Sequence, residues 1–259
     1  MRQAKINRRQ VFVELYAGSG GVSCQLRALG YGAIAFEINH GEHFDLLNRT
    51  VNQILRGWIS GGVVRGMHLG TPCGSWSRAR RGPAGSAWAP IRSSEHIWGL
   101  PNLAQHDAQK VKVGNRTLRQ SCQAIASCVK LGIPVSIENP VNSLLWQAPP
   151  MAQLLQHPSC RVVTLDQCAW QARWRKRTRI AAWNAGDLCH LHKLCSGSAQ
   201  QCTFTGKPHI LLSGRIPGSS KLWTSLAQEY PKRLSKDLAK TLCKAADNLQ
   251  LARLMQFSL

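Results

Sequence analysis

Acidic side chains are scarce in this sequence: 12 Asp and Glu stand against 33 Lys and Arg, leaving a formal charge of +21 over 259 residues. So lopsided a balance excludes an ordinary enzyme of small acids and points to a polyanionic partner, nucleic acid above all. Long apolar runs are also missing. Nothing approaches the roughly 18 consecutive apolar residues of a membrane span. Arg2, Lys5, Arg8 and Arg9 are followed by no apolar segment of a secretory leader, so neither a membrane protein nor a secreted one is expected. The 10 cysteines lack the dense, regular spacing of a disulfide scaffold; they read as reduced thiols in an intracellular protein, nuclear in a eukaryote. No internal repeat or low-complexity tract breaks the chain. What is present is a core: 44% hydrophobic residues with 9 Trp exclude a disordered basic tail and put the charge on a globule.

Val11 to Leu15 is an apolar run that stops at Ala17-Gly18-Ser19-Gly20-Gly21, and a helical pattern follows through Leu26 and Leu29 to a stop at Gly30. Ala33 to Glu37 reads as a second strand. His43 to Leu55 reads as a helix, with Phe44, Leu47, Val51 and Leu55 near one face, and Val63 to Leu69 as a third strand. After a long loop rich in Gly, Pro and Arg, helical spacing resumes at Leu118, Cys122, Ile125 and Val129; Gly132 ends it and Pro134 to Glu138 forms another strand. This alternation predicts an α/β fold with a mostly parallel sheet flanked by helices. Beyond Val162 to Leu165 the composition changes. Arg173, Arg175, Lys176, Arg177 and Arg179 crowd together, and a Cys/His-rich segment from Cys189 to His209 is the one candidate for an insert. Ser235 to Leu254 reads as a closing amphipathic helix on Leu238, Leu242, Leu249 and Leu254.

Three places carry chemistry. The glycine turn after the first strand lets backbone approach a ligand, and Glu37, ending the second strand, is placed to accept hydrogen bonds from a ribose. Ser23 stands where a dinucleotide fingerprint has its third glycine, which favours S-adenosylmethionine, with no pyrophosphate to cradle, over NAD. Thr71-Pro72-Cys73-Gly74 follows the third strand directly, so Cys73 is a candidate nucleophile at the carboxyl edge of the sheet. Glu138-Asn139-Pro140 puts a carboxyl on the same edge, as either a proton donor or a salt-bridge partner for a nearby cation.

Together these segments resemble the cytosine-5 DNA methyltransferase family. Phe12 to Gly21 is similar to its first motif, Pro72-Cys73 to its nucleophile motif and Glu138-Asn139 to its proton-donor motif, in the family's order. Trp174-Arg175-Lys176-Arg177-Thr178-Arg179 resembles its arginine motif and Tyr230 to Leu242 its closing region. The resemblance implies a Rossmann-like methyltransferase fold and S-adenosylmethionine as cofactor, contacted by Tyr16, Ala17, Gly18, Ser19, Gly20, Gly21, Glu37, Ile38 and Pro72. It also implies DNA as partner, with Cys73 adding to the base, Glu138 protonating it, and Arg175 or Arg177 holding its oxygen. Gly74 and Pro140 replace the family's Gln and Val, and no acid between Asn48 and Gly70 matches the one that holds the adenine. The loop with Arg78, Arg80, Arg81 and Arg92 is expected to close over bound nucleic acid.

Cys195, Cys202 and His209 are evenly spaced soft ligands for a structural zinc, with Cys168, Cys189 and His192 competing for the fourth place. The expected organisation is one methyltransferase domain over 1–259, with a short target-recognition and zinc segment at 180–214 and a closing helix at 235–259. An RNA cytosine methyltransferase and a non-catalytic basic nucleic-acid-binding protein on the same fold are the alternatives.

Overall fold

The computed structural model describes residues 10–83, 86 and 89–256; the basic residues Arg2 to Arg9 lie outside them. Six strands form one sheet: β1 (Val11–Leu15), β2 (Ala33–Phe36), β3 (Val64–Leu69), β4 (Val135–Pro140), β5 (Cys160–Asp166) and β6 (Arg177–Trp183), in the order β2-β1-β3-β4-β6-β5. The first four run parallel, and β6 lies antiparallel between β4 and β5. Because β2 lies on one side of β1 and β3 on the other, the strand order reverses beside β1, and the crevice at the carboxyl ends there is where open α/β sheets bind ligands.

Side chains alternate across the sheet. Phe12 packs with Val22 and Leu26 of α1 (Gly21–Ala28) and with Leu234, Leu238 and Leu242 of α6 (Lys232–Gln256). Val13 and Leu15 point the other way, onto Leu55 and Ile59 of α2 (Arg49–Ser60) and Leu118 and Ile125 of α3 (Gln105–Lys130). Helix α4 (Pro149–Leu155) and a single turn, α5 (Trp223–Leu226), complete the set. No helix of the described residues is long and apolar enough to cross a membrane.

The expected helix over His43 to Leu55 is displaced. Gly41 takes φ +123, only short 3-10 turns form at Ile38–His40 and Glu42–Phe44, and α2 begins after Asn48, whose side chain accepts from the Thr50 and Val51 amides at 2.9 and 3.5 Å. The apolar stripe is then Val51, Leu55 and Ile59. Helix α3 ends as expected: Gly132 has φ +69, its amide bonds to Val129 O, and the Ile133 amide bonds to Cys128 O, a Schellman closure. In α6 the buried stripe stops at Ala246; Leu254 is exposed. The sheet holds the chain through Trp183, so the first residues of the expected 180–214 target-recognition and zinc segment belong to β6 and the segment leaves the sheet at Asn184.

Candidate active site

Three residues of the first turn take left-handed backbone: Tyr16, Gly18 and Gly20 at φ +54, +54 and +67. This brings the Gly18 amide onto Glu37 Oε2 at 2.8 Å, while Oε1 of Glu37 accepts from the Asn39 amide at 3.4 Å. The carboxylate is thereby fixed at the mouth of the crevice with acceptor capacity left over. Helix α1 has no cap from Gly20. Its Val22 and Ser23 amides instead donate to buried Glu14 of β1 at 3.3 and 2.6 Å. Burial pushes the Glu14 carboxyl above its ordinary value, against these amide bonds. A helix N-terminus is where a diphosphate binds; here a side chain of the protein already occupies it.

At the end of β3, Gly70 donates to Leu15 O at 3.0 Å, and a Cβ on it would sit 2.9 Å from Tyr16 O, so this close approach of two backbones requires glycine. The Cys73 loop that follows is tied down on several sides. Asn139 Nδ2 donates to Thr71 O at 2.7 Å, and the hydroxyls of Thr71 and Ser121 lie 2.8 Å apart. Arg92 donates to Ser75 O at 2.9 Å and stacks on fully buried Trp76, its guanidinium carbon 3.6 Å from the ring centroid. Gly114 of α3 makes room for this, since a Cβ there would lie 2.1 Å from Ser75 Oγ. Arg92 is therefore an internal anchor rather than a contact for nucleic acid, and Arg80 is paired with Asp107 at 3.2 Å. Burial pushes the Cys73 thiol above its ordinary value; the Glu138 carboxylate adds to this and the Lys176 ammonium opposes it.

Glu138 is 5% exposed. Its Oε2 accepts from the Tyr230 hydroxyl at 3.2 Å, and its Oε1 lies 3.5 Å from Lys176 Nζ. Tyr230 is backed by His68, Nε2 to hydroxyl 3.2 Å, and His68 Nδ1 meets Ser136 Oγ at 2.8 Å. Burial pushes His68 down to about 4, so the ring is neutral. With the single Tyr230 hydrogen on Glu138, His68 donates from Nε2 to the Tyr230 oxygen and accepts at Nδ1 from Ser136, so both ring nitrogens are satisfied.

Cys73, Glu138, Lys176 and Tyr230 line one cleft of about 750 Å³ with Glu14, Glu37 and the glycine turn. Of the expected cofactor contacts, Tyr16, Ala17, Gly18, Ser19, Gly21, Glu37, Ile38 and Pro72 line it; Gly20 does not. Asp45, just ahead of the interval that lacks an adenine-holding acid, lines it too. The two arginines do not. Arg177 forks onto Asp166 at 3.0 and 2.9 Å and Arg175 reaches the same carboxylate at 3.3 Å, because Asp166 is fully buried opposite Arg177 in the β5–β6 ladder. The cation of that segment in the cleft is Lys176, steadied by a bond to Ala227 O at 3.1 Å. Arg179, in register with Asn139, holds its guanidinium 5.4 Å from the Trp146 centroid with its buried Nε unpartnered.

Elsewhere, Cys195, Cys202 and His209 come together with Cys168, their ligand atoms all within 4.8 Å of one another, a group able to hold a metal ion. Cys189 is exposed and, like His192, stands outside the group.

No family model matches the sequence, and no curated protein matches it. A matching solved structure is a crystal structure of a triple mutant of DNMT2 from Spodoptera frugiperda, 14% identical, with a TM-score of 0.33. The match covers 67% of this chain and 50% of that one, so the chain spans about half the length of that protein.

Proposed function

We propose that this protein transfers a methyl group from S-adenosylmethionine to carbon 5 of cytosine in DNA. The observation that carries the proposal is the convergence of Cys73 and Glu138, from the ends of two adjacent strands, on the cleft that also holds Glu37 and the glycine turn. Carbon 5 of cytosine is too weakly nucleophilic to take a methyl group unaided. The Cys73 thiolate adds to carbon 6 while Glu138 gives a proton to ring N3, which makes carbon 5 enamine-like. Carbon 5 would then take the methyl from the sulfonium, leaving S-adenosylhomocysteine; loss of the carbon 5 proton to a water would expel the Cys73 thiolate, and N3 would return its proton to Glu138. Lys176, and not Arg175 or Arg177, is the cation of that segment in the cleft, and its ammonium supports the Cys73 thiolate. The target base must leave its stack to reach these groups.

S-adenosylmethionine, when bound, supplies an electrophilic methyl on a sulfonium. The residues present fit it: Glu37 has free acceptor capacity for ribose hydroxyls, and Glu14 fills the amides that a dinucleotide's pyrophosphate would need. Glu37→Ala is expected to weaken S-adenosylmethionine binding by about ten- to a hundredfold in calorimetry, the value of hydrogen bonds to a charged group, while leaving DNA affinity intact. Unchanged cofactor affinity would remove Glu37 from the site.

Incubation with labelled S-adenosylmethionine and matched duplex DNA, single-stranded DNA and tRNA tests the substrate. Label in tRNA alone would replace DNA by RNA, and label in none would leave a binding protein. The segment between Asn184 and Gly214 is too short for a large base-reading lobe, so affinity comes mostly from phosphate neutralisation. With about six phosphates neutralised, log K against log salt falls with a slope near −5 on duplex DNA. A slope near zero, or methylation confined to one site of four or more fixed bases, would show base reading instead.

A further inference from the structure

We propose that Cys168, Cys195, Cys202 and His209 hold one structural zinc ion that pins the segment between β6 and α6 to the sheet. The Cys195 sulfur lies 3.8 Å from both Cys202 Sγ and His209 Nε2. Ligand atoms about 2.3 Å from a tetrahedral ion stand roughly 3.8 Å from each other, so both contacts of Cys195 already have the spacing of a closed zinc cage, and Cys168 Sγ lies within 4.8 Å of the other three ligand atoms. All three cysteines are free, and they are 0%, 2% and 1% exposed.

The surroundings are those of a metal site. His209 turns Nδ1 to Ser198 O at 3.0 Å, which places the hydrogen there and leaves the Nε2 lone pair facing the sulfurs. Thr203 Oγ1 donates to Cys195 Sγ at 3.3 Å, a bond suited to a thiolate. The backbone folds tightly around the group: a Cβ on Gly197 would fall 2.0 Å from Gln201 O, and the Cys202 amide closes a second turn onto Lys207 O at 3.0 Å. Thiolate and imidazole donors favour zinc over the oxygen-seeking calcium or magnesium.

The segment also needs such a staple. Among the described residues no regular helix or strand lies between His192 and Leu222, and Leu194, Phe204 and Leu211 are exposed. Cys168 sits in the turn after β5, so the ion would bind this coreless stretch to the sheet. Asp166 reinforces the junction by accepting the Cys195 amide at 2.9 Å on the carboxylate that holds Arg175 and Arg177. Downstream the same stretch reaches Ser225 to Tyr230 in the cleft wall.

Elemental analysis of protein purified without chelator is expected to find about one zinc per chain that survives dialysis, as a closed site retains its metal. Cys168→Ser is expected to lose it, whereas Cys189→Ser and His192→Ala keep it. Cobalt added to the metal-stripped wild type and to Cys189→Ser should give tetrahedral d–d bands and a thiolate charge-transfer band. That arm decides the matter if Cys168→Ser fails to fold. Less than half an equivalent in the wild type with no such cobalt spectrum, or full zinc retention in Cys168→Ser, overturns the site. None of these readouts depends on methyl transfer.

Discussion

Cys73→Ser should abolish methyl transfer, by on the order of 10⁴-fold or more, as loss of an enzyme's nucleophile does. DNA carrying 5-fluorocytosine should trap the wild type as a gel-stable adduct. Fluorine at carbon 5 cannot leave as a proton, so after methylation the bond from Cys73 to carbon 6 has no route to break. The loop makes Cys73 the sulfur to bet on: Asn139, Ser121 and Arg92 fix its neighbours, and it opens onto the cleft with Glu138. Because burial and the Glu138 carboxylate hold the thiol above its ordinary value, the thiolate fraction is small at neutral pH. Adduct formation should therefore keep climbing as pH rises through about 8.5, the ordinary thiol value. A trap that survives Cys73→Ser sinks the assignment, and a plateau below that pH would mean that bound substrate activates the thiol.

Glu138→Gln should lower turnover by about 10²- to 10⁴-fold, the usual worth of a general acid, with DNA affinity nearly unchanged. The amide keeps the shape and can still accept from Tyr230, but it has no proton for N3. The ion pair with Lys176 is real at 3.5 Å, so the salt-bridge role and the catalytic one compete for this residue. Full activity in the variant would assign Glu138 to the ion pair alone.

Strands were legible wherever an apolar run met a glycine: β1, β2, β3 and β4 fall within a residue or two of their sequence bounds, and Cys73, Glu138 and Glu37 meet in one cleft as their strand ends predict. The start of α2 was not, because a hydrophobic stripe starting at Phe44 outweighed Gly41 and the cap at Asn48. Nor was the facing of the arginines. In a run of consecutive cations, the sequence does not say which one a buried acid will claim. Asp166, unremarkable in one dimension, sits across the ladder from Arg177 and takes two of them, leaving Lys176 to the cleft. Cys168 was one of three contenders for the fourth ligand place, and only the turn after β5 brings it to Cys195.

Glu14 bears on how far the cleft could be repurposed. The first amides of α1 are closed to a diphosphate by self-occupancy, a carboxylate of the protein already bonded to them. Reshaping the outer wall alone would therefore not convert the fold to a nucleotide-diphosphate ligand. The buried carboxylate would have to go first, and its removal would orphan two amides, at about 1–3 kcal/mol each, until the new ligand arrived. Freeing the first amides of α1 for a diphosphate and uncapping that helix are in this way one step, so such a ligand could be admitted only through a weakened fold.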